Sequence, residues 1–529
     1  MYKASRILFT FVVAIFLLPD AVSQIASASP QSTQLGKVAF PNSCSAGAQP
    51  AIAKGVALMH SFQYTEATQV FVEALRRDSK CPALHWGKAM ALYEQIWYFP
   101  DDKHLNEGRK EIEKAQKLHT ANAREQGFLD AAGRFFQKGK MSQQARIQAY
   151  SDALEKLRSQ DPHDPEAGSF YALSLIALSE EDHDHTVDDL KKAIAVLEPL
   201  LQEHPDHPGV AHYLIHAADR PELAQQGLEA ARRYAAIAPD SSHALHMPSH
   251  IFVRLGMWQE SIVSNAASQK AGAQAAATHR AEPHYQVHAM HFLTYSYLQS
   301  GQEAKAREVV AQTKDIVGAT QDAKADANAF LSALVAVDLH RWKEAAALPA
   351  PPKDGRDTFW ARSIGATRSG DLKQAESDLK RLQELIAEGQ RRGRARSDSQ
   401  PGEKPIDLQE AEAWLAFAQG KTDDALAGLR AAADHEDKGG GESTGVPARE
   451  MLADLLLELK RPAEAMAEYK VNLQNAPRRF DGLLGAARAA QALGDAAVAQ
   501  SYYAELSEIC VAGADRPELA EVKTVLARK

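Results

Sequence analysis

The sequence predicts an all-α chain built as a solenoid of helix-turn-helix units, and three observations carry that prediction. Segments rich in Ala, Leu, Glu, Lys and Gln set apolar residues at spacings of three and four, and Pro, Gly and Asp interrupt them at short intervals. Strand-like alternation at a period of two is nearly absent. Small and bulky residues also recur at a separation of 34, the self-similarity expected of a repeat architecture.

Taken in order, the first 28 residues read as an export signal. Lys3 and Arg6 precede an apolar run over 7–18, and small residues follow at 21–23 and 26–28, which predicts a cleaved secretory peptide with processing near 23 or 28. The run is shorter than the roughly 20 apolar residues of a membrane span, and no later segment approaches that length. The mature chain is therefore expected to be periplasmic or secreted, with no transmembrane span and a linker over 29–47. Three cysteines remain, so a disulfide-dense scaffold is excluded. Cys44 and Cys81 are candidates for a bridge that clips the first helical unit, leaving Cys510 single. A net charge of -9 gives no basic footprint for nucleic acid, and the densest basic run, "RRGRAR" at 391–396, reads as solvated linker.

The repeat emerges on aligning "DDLKKAIAVLEPLLQEHPDHP" with "PELAQQGLEAARRYAAIAPDS". Ala193 pairs with Gly227, Leu197 with Ala231 and Pro205 with Pro239, and the next step of 34 reaches Ser261. Ala465 and Tyr469 repeat 34 residues later as Ala499 and Tyr503. Ala67 with Phe71 forms another unit, and Ala306, Ala375 and Ala425 each follow a turn glycine (Gly301, Gly370, Gly420) by five residues. This pattern resembles the tetratricopeptide repeat (TPR) signature. The resemblance implies a right-handed α-solenoid over most of 48–513, divided into a body over 48–387, a flexible basic and polar linker over 388–405, and C-terminal units over 406–529. Unit boundaries are open in 95–165 and 311–360, and "HEDKGGGESTG" at 435–445 reads as an inserted loop.

Histidine is unevenly spread, with 11 of the 20 between 204 and 291. With units begun at Pro208 and Ser242, His212 and His216 fall on the fifth and ninth places, and His246 and His250 on the same places one unit later. His243 takes the second place. In the following unit His288, His291 and Tyr295 take the second, fifth and ninth. Spacings of three and four put these side chains on one stripe of each first helix. In TPR arrays, the resemblance implies, that stripe lines the concave partner-binding face, and Asp219 and Arg254 extend it by about a turn.

Three uses of the stripe stay open. It forms a groove for a protein or peptide partner through His212, His216, Asp219, His243, His246, His250, Arg254, His288, His291 and Tyr295. Alternatively, the pairs His212 with His216 and His246 with His250 hold zinc, copper or nickel as neutral imidazoles, with Asp219 or His243 as a further ligand or outer partner. Or the rings simply pack among helices. Metal-dependent hydrolysis would need a general base from Asp219 or Glu282, and no nucleophile elbow, phosphate-binding glycine loop or paired-cysteine motif appears. His183 and His185 read as an acidic solvated turn, and His85, Trp86 and Trp97 as inter-helix core.

Overall fold

A computed structural model describes residues 34–96, 99–180, 186–280, 282–353, 355–391, 404–441, 444–510 and 513–527. The expected signal, His183, His185, Trp97 and most of the linker lie outside these residues. Among the described residues the regular structure is helical, without strands, and no helix is long and apolar enough to cross a membrane.

Successive helices pair into TPR-like helix-turn-helix units that stack as an α-solenoid. Gln49–His60 pairs with Tyr64–Arg77, and Pro208–Ala217 with Ala224–Ile237. The following unit joins Ser242–His246 and Pro248–Arg254 to Trp258–Ala277, and the next pairs His284–Gln299 with Glu303–Ala311. The open regions resolve into further hairpins: Pro82–Ala91 with Asp102–Leu118, Ala123–Phe135 with Gln143–Arg158, and Gln321–Asp338 with Trp342–Ala346. Helix Leu372–Arg391 carries the chain into the expected linker. After it come Ile406–Ala418 with Thr422–Lys438, Ala448–Glu458 with Pro462–Asn475, and Phe480–Ala492 with Ala496–Ile509.

The repeated residues show why the units stack. Ala193, Ser261, Ala465 and Ala499 are buried where two helices of a unit approach. Phe71 is fully buried between glycines: a Cβ at Gly55 or at Gly87 in the next unit would collide with its ring. Tyr469 stands in the same relation to Gly485. A bulky residue on one unit thus fills the space that a glycine leaves on its neighbour, as close packing requires.

The turn inside the units is also conserved in geometry. A residue in the left-handed region is followed by an N–H that reaches back five residues: Met257 to Phe252 (2.8 Å), Gln302 to Tyr297 (2.8 Å), Asp371 to Ala366 (2.9 Å) and Asp495 to Ala490 (3.0 Å). Glycine supplies the positive φ at 256, 301, 370, 420 and 494, where it carries no Cβ penalty. Phe62, His340 and Lys460 occupy the same position with φ of 53°, 53° and 57°.

Two long-range features shape the site. The described part of the N-terminal segment packs rather than dangles: Phe40 stacks on Trp86 with centroids 4.6 Å apart, and Cys44 and Cys81 are joined by a disulfide with Cα atoms 4.9 Å apart. The C-terminal units meanwhile fold against the inner ends of the histidine-bearing ones. The Trp258 indole donates to the Arg478 carbonyl (2.9 Å), Phe480 N donates to Gln299 Oε1 (2.9 Å), and Asp515 N donates to the Gly301 carbonyl (2.8 Å).

Candidate metal centre

The centre is built on three consecutive first helices. Pro208 opens the first of them at a position whose N–H would have no helical partner, and His207 caps it, its Nδ1 accepting from Val210 N at 3.2 Å. One turn apart on this helix, His212 and His216 bring their Nε2 atoms to 3.1 Å. In the next unit Pro248, which lacks an N–H, splits the helix after His246. The chain keeps its helical course across the break, and Nε2 of His246 lies 2.9 Å from Nε2 of His250. His243 reaches across to His212, Nε2 to Nε2, at 3.0 Å.

The seven histidines of the stripe therefore divide. His212, His216 and His243 form one triad, and His246, His250 and His288 a second, each offering ring nitrogens within 4.8 Å of one another. The sequence-predicted quartet of His212, His216, His246 and His250 is split between them, because each pair finds its third nitrogen on a neighbouring helix. The two triads adjoin, with His216 and His250 ring centroids 6.4 Å apart.

Outer partners decide which nitrogen faces inward. His212 Nδ1 donates to the His60 carbonyl (2.6 Å), and His250 Nδ1 donates to Asp219 Oδ2 (2.7 Å). His246 Nδ1 lies 2.7 Å from Asn265 Oδ1. The Asn265 amide is oriented by its own donation from Nδ2 to the Ser261 carbonyl (2.9 Å), so its oxygen must accept from His246. With Nδ1 protonated in both His246 and His250, their Nε2 lone pairs point at each other across 2.9 Å. Two lone pairs at that distance repel unless a proton or a metal ion sits between them.

Burial disfavours a proton on His246. His212 is 0 % exposed, and His243 and His246 are 2 % exposed. Desolvation, helped by the neighbouring imidazoles, pushes His212, His243, His246 and His288 well below the usual histidine pKa. Burial and the nearby His250 bring His216 down to about 3. These rings are thus neutral at physiological pH, the form that binds metal. Imidazoles on one tetrahedral zinc at about 2.0–2.1 Å stand about 3.3 Å apart, close to the separations found. The inward nitrogens of His212, His246 and His250 are backed by a backbone carbonyl, an amide oxygen and a carboxylate on the opposite ring atom, the outer-shell arrangement typical of metal-bound histidine.

The remaining stripe residues have other partners. Burial would raise the Asp219 carboxyl, but Arg254 and His250 hold it well below the usual range. Arg254 Nε donates to Asp219 Oδ1 at 2.9 Å, and its Nη1 donates to the carbonyls of Gly440 (2.9 Å) and Gly441 (3.2 Å). His291 is apart from both triads, with Nε2 3.1 Å from the Thr444 carbonyl. Tyr295 is not on the histidine patch: it is 1 % exposed, and its hydroxyl accepts from Arg479 Nη1 at 3.0 Å. The cause is the return of the C-terminal units, which cover the ninth place of that helix. Of the stretch at 435–445 read from sequence as an inserted loop, the first residues end helix Thr422–Lys438, and the carbonyls of Gly439, Gly440, Gly441 and Thr444 are held beside the centre by Arg254, His291 and Arg220, whose Nη1 donates to the Gly439 carbonyl at 2.7 Å.

A third cluster, His60, Glu166 and His207, is closed. Glu166 bridges His60 Nε2 (2.8 Å) and His207 Nε2 (3.1 Å), His60 Nδ1 contacts the Tyr213 hydroxyl (3.0 Å), and His207 Nδ1 is already used by its helix cap. Burial would raise the Glu166 carboxyl, but the two histidines pull it well below normal. Every ring nitrogen here has a protein partner, so this is a structural knot that locks the first unit to helix Pro208–Ala217.

Sequence reasoning missed His60, Asn265 and Phe62, none of which shares the stripe's register. Phe62 carried a signal only in hindsight: it replaces glycine at the turn position. Its ring lies 4.4, 5.3 and 5.4 Å from the rings of His212, His216 and His243, roofing the first triad. A left-handed backbone costs a non-glycine residue about 1–2 kcal/mol, whereas removing a buried Phe ring costs about 3–5 kcal/mol. Phe62→Gly is therefore expected to destabilise the metal-free protein by about 2 kcal/mol net in urea titration; an increase in stability would show that the ring contributes less than the strain.

A cavity of about 660 Å³ opens beside the first triad, where His216, Asp219 and Arg254 meet His291, Trp360, Gly441 and Thr444. No family model and no curated protein matches this chain. Among solved structures, the chain is similar to the human IFIT1 dimer with PPP-AAAA, at 13% identity over 86% of this chain and 89% of that one, with a TM-score of 0.36. It is also similar to the APC/C hetero-tetramer Cut9-Hcn1, at 10% identity over 90% and 89%, TM-score 0.34. For Naa15/Naa10 bound to HypK-THB the values are 13% identity, 88% and 71% coverage, and a TM-score of 0.22.

Proposed function

We propose that this chain is an exported helical-repeat protein that binds transition-metal ions, zinc, copper or nickel, one at each histidine triad. The observation that carries the reading is the facing pair His246 and His250, whose inward lone pairs are 2.9 Å apart with both outer nitrogens committed as donors. An all-imidazole donor set with no thiolate suits these three metals. Export is supported by the Cys44–Cys81 disulfide, a bond that persists in oxidising compartments. The stripe is largely occupied by internal contacts, so a partner is better accommodated at the adjoining cavity than along an open groove.

Elemental analysis after reconstitution with each metal and removal of excess is expected to find about two ions per chain, and His246→Ala to lose one of them. Asp219→Asn, which weakens the acceptor behind His250, is expected to lower affinity at the second triad by about 10–100-fold in a chelator competition. Absence of any retained metal in a folded wild-type protein would sink the reading.

A further inference from the structure

The two triads repeat one pattern. Each takes the fifth and ninth places of one first helix and the second place of the next: His212 and His216 with His243, then His246 and His250 with His288. The series stops at both ends. The second place of the unit begun at Pro208 is Gly209, where a Cβ would meet the His60 ring at 2.3 Å. The ninth place of the third unit is Tyr295, whose hydroxyl accepts from Arg479. The repeat thus builds two adjoining nitrogen sets.

Adjoining sets hold their ions close together. Across the boundary the His216 and His250 ring centroids are 6.4 Å apart and those of His243 and His246 are 6.2 Å apart, about the 6.3 Å between His216 and His243 inside the first triad. Packed helices lie about 8–10 Å apart, so ions held on successive first helices are separated by less than about 10 Å. Salt screens buried charges far less than exposed ones, and His212, His243 and His246 are buried. Neither triad contains a carboxylate, and Asp219, which accepts from His250, is shared with Arg254. The wall of the cavity beside the first triad does carry an excess of acid, with Glu180, Asp219, Asp357, Asp407, Glu410 and Glu436 against Arg220 and Arg254. Those groups draw any cation toward the first triad, but they are the same whether the second is full or empty. What changes when one triad fills is the positive charge that the other faces.

We propose that the two triads form one dinuclear centre that fills with negative cooperativity: an ion in either triad weakens binding at the other, and the effect is reciprocal. This rests on the metal-binding reading above. Repulsion scales with the product of the charges, so two divalent ions repel four times as strongly as two monovalent ions in the same places. Zinc therefore shows a wide gap between its two binding steps and Cu(I) a narrow one. Both steps are open to solvent, since His216 in the first triad and His250 and His288 in the second are partly exposed.

The test titrates the full chain with zinc against a chromophoric chelator. His288→Ala keeps only the first triad and His216→Ala only the second, so the two variants give the affinity of each triad with its neighbour empty. The wild type is expected to bind its second zinc about tenfold or more weakly than either variant binds its one ion. Wild-type steps that match the two variants would overturn the coupling and leave the metal reading intact. A gap for Cu(I), measured without oxygen, as wide as that for zinc would overturn its electrostatic origin. The wild type loaded with two Cu(II) gives a readout that needs no variant. Spin–spin broadening and a half-field EPR signal, weak at low loading, are expected of ions less than about 10 Å apart; two unperturbed spectra would overturn the dinuclear centre. Failure of folded wild type to retain any of these metals would remove the reading beneath it.

Discussion

In the metal-free protein, stability is expected to fall steeply as pH drops below about 6.5, the value of an unperturbed histidine. Burial depresses the pKa of His212, His216, His243, His246 and His288 in the folded state. Between the folded and unfolded values the unfolded chain binds more protons, so stability rises with pH across that window. It is complete above about 6.5 and is lost on acidification, with His216 the last well-defined member at about 3. Each such group contributes about 1.4 kcal/mol per pH unit. Five such groups act in the same direction, so the acid limb should be steeper than a single buried histidine would give. Urea midpoints measured in chelator from about pH 8 to about pH 4 test this; a flat profile would mean that the imidazoles are solvated and the triads do not exist as described. Bound metal, which competes with protons for the same nitrogens, should move the acid transition to lower pH.

The other large effect is expected at Arg479. Its guanidinium is fully buried and donates to Glu450 Oε2 (2.8 Å), Asp338 Oδ2 (2.9 Å), the Tyr295 hydroxyl (3.0 Å) and the Gly445 carbonyl (2.9 Å). It thereby ties helices His284–Gln299 and Gln321–Asp338 to the C-terminal units. One cation faces two carboxylates, and burial correspondingly lifts the Glu450 carboxyl to about 7. Arg479→Met would strand Asp338 and Glu450 without their shared cation, and breaking a buried pair in this way costs about 3–5 kcal/mol. Thermal and urea unfolding should both register the loss. Glu450→Gln keeps the volume and leaves Arg479 paired with Asp338, so a much smaller loss is expected. Equal losses from the two substitutions would show that the cation is not the clamp.

These effects involve residues of very different legibility. Helix periodicity, the 34-residue recurrence and the turn glycines are local, and packing used them as written: Phe71 against Gly55 and Gly87, Tyr469 against Gly485. Register also placed His212, His216, His243, His246, His250 and His288 on adjoining first helices. It could not say how they group, because the third nitrogen of each triad comes from another helix, whose rotation depends on packing between units. Nor did it expose Tyr295 as a core residue, since the residue that buries it, Arg479, lies 184 positions away.

By itself, then, the sequence determined the helical repeat, its turns and the concentration of imidazoles on one stripe, because each depends on spacings within a few helical turns. Only the tertiary structure decided what that stripe becomes. The return of the C-terminal units, the clamping of 439–441 by Arg220 and Arg254, and the outer acceptors His60, Asp219 and Asn265 turn a row on the helix face into two nitrogen triads. Those choices rest on contacts between residues far apart in the chain, and the low polarity that keeps the imidazoles neutral exists only once the units have closed around them.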